Sequence, residues 1–167
     1  MIALRINKYI RLAILLSLGI CLQLLDNFFI LPINSPAGKI GIANIITLYA
    51  LYTLSTPEAI ILAVLRPVLG GLLYGGLQMS LYGLAGSAFA IMLMILFKKI
   101  NKFSIYGVSI IGSVANNIAQ IAIACIMLKS FAPLYYMPIL VIFGSIAGVF
   151  TAYMTGLFIK KGAKATL

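Results

Sequence analysis

The residues able to do chemistry are few, and most of them offer hydrogen bonds rather than acid–base or metal-binding groups. The 167-residue chain has 2 acidic residues, Asp26 and Glu58, 2 cysteines and no histidine. These residues cannot supply a carboxylate-rich metal site or a histidine general base, and no Walker A sequence is present. The sequence therefore predicts no catalytic residue, no metal site and no cofactor, which leaves amide side chains and one arginine, Arg66.

Polar side chains recur at steps of four, three and four residues along one predicted helix: Ser109, Ser113, Asn116 and Gln120. That spacing puts them on one helix face, with Asn117 beside it. Because lipid offers no hydrogen-bond partners, such a face must meet protein or water. Two interpretations stay open: hydrogen bonds between helices, or a pocket that binds a solute from outside the cell.

Asp26 and Asn44 are predicted to reach a depth similar to that of this row. At about 1.5 Å per residue, Asp26 lies about 20–27 Å along the first helix and Asn44 lies in the outer half of the second. Asp26 could meet water or lipid headgroups, pair with Lys39, or bind a cationic or hydrogen-bonding part of a solute. An ionisable residue inside a membrane indicates a functional site by default.

Arg66 is predicted to lie about 14 Å into the third helix, near the membrane centre. Pro67 follows it, and a proline inside a helix leaves the carbonyl of Ala63 without its helical donor. Two interpretations stay open here as well: a buried structural arginine that holds a kink, or an anion or gating site. In either case the guanidinium needs acceptors, which backbone carbonyls or asparagine side chains could provide.

The elements that must position these residues are membrane helices. Hydrophobic residues make up 63% of the chain and charged residues 8%, and the mean hydropathy is +1.18. A spanning helix needs about 20 apolar residues. The chain is therefore predicted to be a single transmembrane domain over 1–167, an all-α integral membrane bundle of six helices. The predicted helices cover 10–32, 40–54, 57–77, 79–97, 104–128 and 133–159.

Two features of this arrangement leave room for alternatives. The second helix is short, which implies tilt, local thinning of the bilayer or a half-buried start. The third and fourth helices are separated mainly by glycines, and a five-helix bundle would need one long helix through Gly75 and Gly76. By contrast, the third helix has a clear start: in the run STPEA at 55–59, Pro57 fits the first helical position and Glu58 the first turn.

The basic residues predict the orientation. With the N-terminus in the cytoplasm and six spans, the outer side receives two basic residues, Lys39 and Lys129, and Arg66 lies within a helix. The cytoplasmic side receives nine: Arg5, Lys8, Arg11, Lys98, Lys99, Lys102, Lys160, Lys161 and Lys164. This positive-inside bias places both termini in the cytoplasm. The net charge of +10 is then a sign of topology rather than of nucleic-acid binding.

Rows of small residues predict close helix contacts. Gly144, Gly148 and Ala152 recur every four residues in the sixth helix. In the first helix the row contains Ala13, Ser17 and Cys21, which serve either internal packing or docking to a partner subunit.

Four stretches resemble a known family and occur in matching order: GKIGIANIITLYALY (38–52), LRPVLGGLLYGG (65–76), SLYGLAGSAFA (80–90) and YGVSIIGSVANNIAQ (106–120). They are similar to the bacterial Gx transporter family, often labelled heptaprenyl diphosphate synthase component I. That family resembles the substrate-capture (S) components of energy-coupling factor (ECF) transporters.

The resemblance implies a six-helix, multi-pass protein of the bacterial cell membrane with an outward-facing pocket for a small solute. It also implies a membrane coupling subunit and a cytoplasmic ATPase pair as partners. The positions that match the family's motifs are Asp26, Lys39, Asn44, Arg66, Asn117 and Gln120. Where the family usually has His-Asn, this chain has Asn116-Asn117, so a role that needs an imidazole is not expected. Ala13 and Ser17 resemble the face that docks the coupling subunit.

The enzymatic part of the family label conflicts with the residues. Prenyl chain elongation needs Mg²⁺ held by clustered carboxylates, and Asp26 and Glu58 are predicted to lie on opposite membrane sides. The main hypothesis is therefore a solute-capture component. The alternatives are a non-catalytic accessory subunit in isoprenoid or quinone metabolism, or a membrane scaffold in an electron-transfer assembly.

Overall fold

The computed structural model describes residues 2–28 and 41–165, and all the regular secondary structure in these ranges is helical, with no strand among them. Glycines and prolines punctuate the apolar runs, so the helices from α2 onward follow one another with short connections. The elements are α1 (Ile2–Phe28), α2 (Asn44–Thr53), α3 (Thr56–Tyr74), α4 (Gly76–Ile100), α5 (Ile105–Leu128), a 3₁₀ turn (Ala132–Tyr136) and α6 (Met137–Ala165).

Five of the described helices are long and apolar enough to cross a membrane, and α2 is not among them. The all-helical membrane architecture is confirmed, whereas six spans and the side on which the termini lie stay predictions. α2 has 10 residues, about 15 Å of helix, which is half of a hydrocarbon core about 30 Å thick. Residues 41–43 form a turn with Gly41 at φ 84° rather than the predicted helix.

Helix α1 runs beside α3 in the same direction. The Lys8 ammonium lies 2.6 Å from a Glu58 carboxylate oxygen near the start of α3, and Gly19 packs against the Arg66 side chain further along. α2 runs the opposite way, because Asn44 at its start bonds Arg66. Since Arg66 lies about 15 Å from the start of α3, α2 begins about halfway along α3.

Helices α3 to α6 run alternately up and down. The turn between α3 and α4 falls at Gly75 and Gly76, with Gly76 at φ 71°. The predicted break between the third and fourth helices is therefore confirmed, a few residues before the predicted position. Pro67 leaves the Ala63 carbonyl without its helical donor, and Ser87 of α4 donates to that carbonyl at 2.6 Å. Serines and glycines thus join neighbouring helices at close range.

The basic residues gather at one end of the bundle, here termed the basic end: the end where α1, α3 and α5 begin and where α4 and α6 finish. Lys98 donates to the Leu51 carbonyl and lies 4.7 Å from the Tyr52 ring centroid. A cation there complements the negative C-terminal end of α2. Lys129 follows α5 at the opposite end.

An apolar core occupies the half of the bundle nearer the basic end. Leu48 and Leu51 of α2 pack with Leu62 of α3, Met94 of α4 and Val108 of α5, all at most 1% exposed. Polar side chains replace these apolar ones beyond Thr47 and Asn116. The N-terminal end of α2 therefore marks the boundary between a mainly apolar half, in which Ser109, Thr151 and Thr155 are also buried, and a polar half.

Candidate functional site

A cavity of about 40 Å³ lies between the helices in the polar half of the bundle. It draws residues from α1 to α5, so five helices meet around it. The lining residues are Gln23, Asp26, Gly41, Ala43, Asn44, Arg66, Pro67, Tyr82, Gly83, Asn116 and Gln120. A water molecule needs at least about 10–15 Å³ of such space. The cavity therefore holds a few waters or one small polar group.

Asp26 holds the start of α2 in place. Its Oδ1 accepts a hydrogen bond from the Ile42 backbone N–H at 2.9 Å, and its Oδ2 accepts one from Ala43 at 3.0 Å. The side chain is 3% exposed, so the interpretation in which Asp26 simply meets water or headgroups is wrong. Ile42 and Ala43 directly precede Asn44, so Asp26 fixes the position of the Asn44 backbone and hence of its side chain.

Arg66 is the buried cation of the site, at 5% exposure. Its Nη2 donates to Asn44 Oδ1 at 3.2 Å, so an asparagine is an acceptor, as the sequence suggested. Its Nε has no hydrogen-bond partner among the described residues. Gly19 makes room for the arginine, because a Cβ there would lie 2.9 Å from Arg66 Cδ. The guanidinium is thus held by Asn44 through Nη2, and its Nε–H remains available to a ligand in the cavity.

Three amide side chains around the cavity carry further buried atoms without a partner in the described part of the chain: Gln23 Oε1, Asn44 Nδ2 and Gln120 Oε1. A buried polar atom left unpaired costs about 1–3 kcal/mol. Because Asn44 Oδ1 accepts from Arg66, Asn44 Nδ2 is fixed as the unpaired donor of that amide. Together with Arg66 Nε, these atoms form an unsatisfied polar lining that water or a solute would satisfy.

Glycines on neighbouring helices give the cavity side chains their space. A Cβ on Gly70 would lie 2.8 Å from Gln23 Cδ, and a Cβ on Gly86 would lie 2.5 Å from Asn116 Oδ1 and 2.9 Å from Gln120 Nε2. Side-chain atoms do not normally approach a Cβ so closely, because cores are packed at van der Waals distance. Each amide therefore lies against bare backbone of the adjacent helix.

The polar row of α5 divides between the two interpretations drawn from the sequence. Asn116 and Gln120 line the cavity. Ser109 donates to the Gly148 carbonyl at 2.7 Å, and Asn117 donates to the Leu140 carbonyl at 2.8 Å, so these two join α5 to α6. The structure therefore does not bring Asn117 to the cavity.

Comparison with models of known families identifies the family of this chain. The model of the family described as "Heptaprenyl diphosphate synthase component I" matches residues 15–158. The chain belongs to this component I family. Searches of curated proteins and of solved structures found no match. The match includes every cavity residue, from Gln23 to Gln120.

The two acidic residues of this component I protein lie far apart: Glu58 of α3 lies beside the start of α1, and Asp26 lies near the end of α1. Glu58 pairs with Lys8, whereas Asp26 lies eighteen residues further along α1, about 27 Å away. Among the described residues, no three His, Cys, Asp or Glu side chains could share a metal ion. Glu58 also accepts the Ser55 backbone N–H at 2.6 Å, which confirms the predicted start of α3.

Sequence reasoning missed the two further polar side chains that line the cavity of this family member, Gln23 and Tyr82, and one candidate cannot be placed. Gln23 follows the same α1 face as Asp26 and could have been included on that signal. Tyr82, 3% exposed, stands among glycines and small residues, and nothing in its spacing marks it. Lys39 lies outside the described residues, so its role stays a prediction.

Ala13 and Ser17 lie on an exposed face of α1, away from the cavity. Ser17 donates to the Ala13 carbonyl within the helix at 2.9 Å, so its hydroxyl needs no hydrogen-bond acceptor on another helix or subunit. Beside this face, α1, α2 and α6 leave an apolar groove of about 570 Å³ whose lining includes Cys21. The small-residue row of α1 is therefore not used for packing within the described bundle.

Proposed function

We propose that this protein is the solute-capture component of an ECF-type transporter and that the cavity binds the solute. One observation carries the proposal: four buried polar atoms without a partner in the described chain, on Gln23, Asn44, Arg66 and Gln120, belong to residues that line one cavity. Polar groups in a membrane interior are costly. A cavity with room for a few waters and four such groups around it is suited to a polar ligand that pairs them.

The position of the cavity supports capture from outside the cell. If the basic end faces the cytoplasm, as the positive-inside rule favours, the cavity lies in the outer half of the bundle. The apolar core around Leu48, Leu62 and Met94 then lies between the cavity and the cytoplasm. We therefore propose cytoplasmic termini, a bacterial cell-membrane location and an outward-facing site.

Movement of the solute would require partners. The chain has no Walker A sequence, so ATP hydrolysis would come from a cytoplasmic ATPase pair that acts through a membrane coupling subunit. The exposed Ala13–Ser17 face of α1 is our candidate docking surface, because small residues allow close approach of a second helix.

The test is binding of small molecules by the purified full-length protein. Mass spectrometry of molecules carried through purification should detect a solute in wild type, and Gln120→Ala should lose it. Gln78→Ala is the matched control, because Gln78 is exposed and is not one of the residues that line the cavity. Copurification of a coupling subunit with an ATPase pair would support the transport role. A protein that carries no small molecule and no such module would overturn the proposal.

The family description favours a second candidate, a non-catalytic membrane subunit of a prenyl diphosphate synthase. Asp26 and Glu58 lie about 27 Å apart and do not form a Mg²⁺ site for chain elongation, so catalysis would belong to a soluble partner. Copurification with a polyprenyl synthase, together with a change in the activity of that synthase, would favour this candidate over transport.

A further inference from the structure

The electrostatics of the cavity suggest what kind of solute it takes. Arg66 contributes a full positive charge, and the start of α2 contributes the positive end of a helix dipole, equivalent to roughly half a charge. Ala43 and Asn44 bring that helix end to the cavity wall. Against these stands one negative group, Asp26, whose carboxylate oxygens already accept the Ile42 and Ala43 N–H groups.

The unpaired atoms divide into donors and acceptors. Arg66 Nε and Asn44 Nδ2 are donors without a partner in the described chain, and Gln23 Oε1 and Gln120 Oε1 are acceptors in the same condition. A guanidinium N–H forms its strongest bonds with anionic oxygens. The donor side therefore suits an anion, and the acceptor side suits a hydroxyl or amino group on the same molecule.

The size of the cavity restricts the anion. About 40 Å³ is room for a few water-sized atoms, which suits the three atoms of one carboxylate group better than the five non-hydrogen atoms of inorganic phosphate. A solute of greater size would place its acid group here and the remainder elsewhere.

We propose that the solute bears a carboxylate that accepts a hydrogen bond from Arg66 Nε, with a hydroxyl or amino group that donates to Gln23 or Gln120. This inference rests on the proposed function and adds the substrate class. The shared chemistry is a carboxylate with an adjacent donor, whether it belongs to a small free acid or to one end of a larger molecule.

The first experiment measures thermal unfolding of the full-length protein in lipid nanodiscs with defined probes. Sodium acetate, sodium lactate and glycine are each compared with the isosteric amide: acetamide, lactamide and glycinamide. We expect the acids to raise the unfolding temperature and the amides not to do so, with lactate or glycine more effective than acetate. A shift given by inorganic phosphate alone, or an equal shift by acids and amides, would overturn the carboxylate assignment.

Two arginine variants test the contact itself. Arg66→Lys keeps the charge but lacks Nε–H, and Arg66→Gln removes the charge. We expect acid binding to weaken roughly 10- to 100-fold in both, because a hydrogen bond to an ion is lost. Arg11→Gln, at an exposed position of α1, is the matched control and should bind as wild type does. Unchanged binding in both Arg66 variants would overturn the inference.

Mass spectrometry of the copurified solute separates this inference from the proposed function and distinguishes the two sources of the carboxylate. A small free acid or a larger molecule with a carboxylate at one end would support both proposals. A neutral or cationic solute would leave the transport role intact and overturn the carboxylate assignment. If no molecule copurifies and no probe shifts the unfolding temperature, the proposed function fails and the inference fails with it.

Discussion

The hydrogen bond from Ser87 to the Ala63 carbonyl allows a quantitative test of how α3 tolerates a proline in mid-membrane. Pro67 has no N–H, so Ala63 O has no helical donor, and Ser87 Oγ lies 2.6 Å from it. The same hydroxyl lies 3.3 Å from the Leu84 carbonyl of its own helix, which is the weaker contact. Ser87 is 2% exposed, so water cannot replace its hydroxyl.

We expect Ser87→Ala to lower the free energy of unfolding by about 1.5 kcal/mol. Hydrogen bonds between membrane helices average about 0.6 kcal/mol and reach about 1.7. This bond should fall near the upper limit, because its loss leaves a buried carbonyl unpaired. Ser145→Ala is the control: its hydroxyl bonds the Val141 carbonyl within one helix at 2.8 Å, so the loss should be near zero.

A double-mutant cycle with Pro67→Ala makes the test specific. Alanine at 67 restores a backbone N–H for Ala63 O, so Ser87→Ala should cost less than about 0.5 kcal/mol in that background. The coupling energy should therefore be about 1 kcal/mol. Unfolding in bicelles, followed by circular dichroism during denaturant titration, gives all four values. Equal costs for Ser87→Ala in both backgrounds would refute the reasoning.

Three further changes probe the site and its support. Gly86→Ala should weaken solute binding at least about 10-fold and lower the unfolding temperature, because its methyl would displace the buried amides of Asn116 and Gln120. Gly156→Ala, which meets nothing within 4 Å, should change neither quantity in the same binding and melting assays. Asp26→Asn should cost about 2 kcal/mol of unfolding free energy, since an ion bonded to two backbone N–H groups is replaced by a neutral amide; a stability equal to wild type in denaturant titration would contradict this role. Glu58→Gln should cost only about 0.5 kcal/mol by the same titration, because its partner Lys8 is 53% exposed and such ion pairs are weak, whereas a loss above about 2 kcal/mol would show that the pair matters more than its exposure suggests.

Local sequence signals predicted the helices and several of their contacts. The helix cap of α3 is formed within the run STPEA, by Ser55 and Glu58, so the start of α3 could be derived without any tertiary information. Pro67 likewise predicts a free carbonyl at Ala63, because that effect acts within one helix. The donor, Ser87, could not be predicted, because it depends on the register between α3 and α4.

The site was less predictable, because its groups come from helices distant in sequence. Asp26 bonds residues sixteen and seventeen positions away, and nothing near Asp26 indicates that partner. The row from Ser109 to Gln120 was correctly read as one buried face, but a helix face borders two neighbours. Which residue meets α6 and which meets the cavity depends on packing, and that placed Asn116 and Asn117 on different sides.

The glycines opposite the amides have a consequence for how the proposed solute specificity could change. Gly70 and Gln23 form one pair, and Gly86 and Gln120 form another. In each pair the glutamine side chain occupies the space that a side chain on the glycine would need. A smaller cavity side chain would leave a void that its glycine cannot fill, and a larger one would find no more room. New specificity would therefore be reached by paired substitutions on adjacent helices, and libraries that vary the lining residues alone should yield mostly inactive proteins.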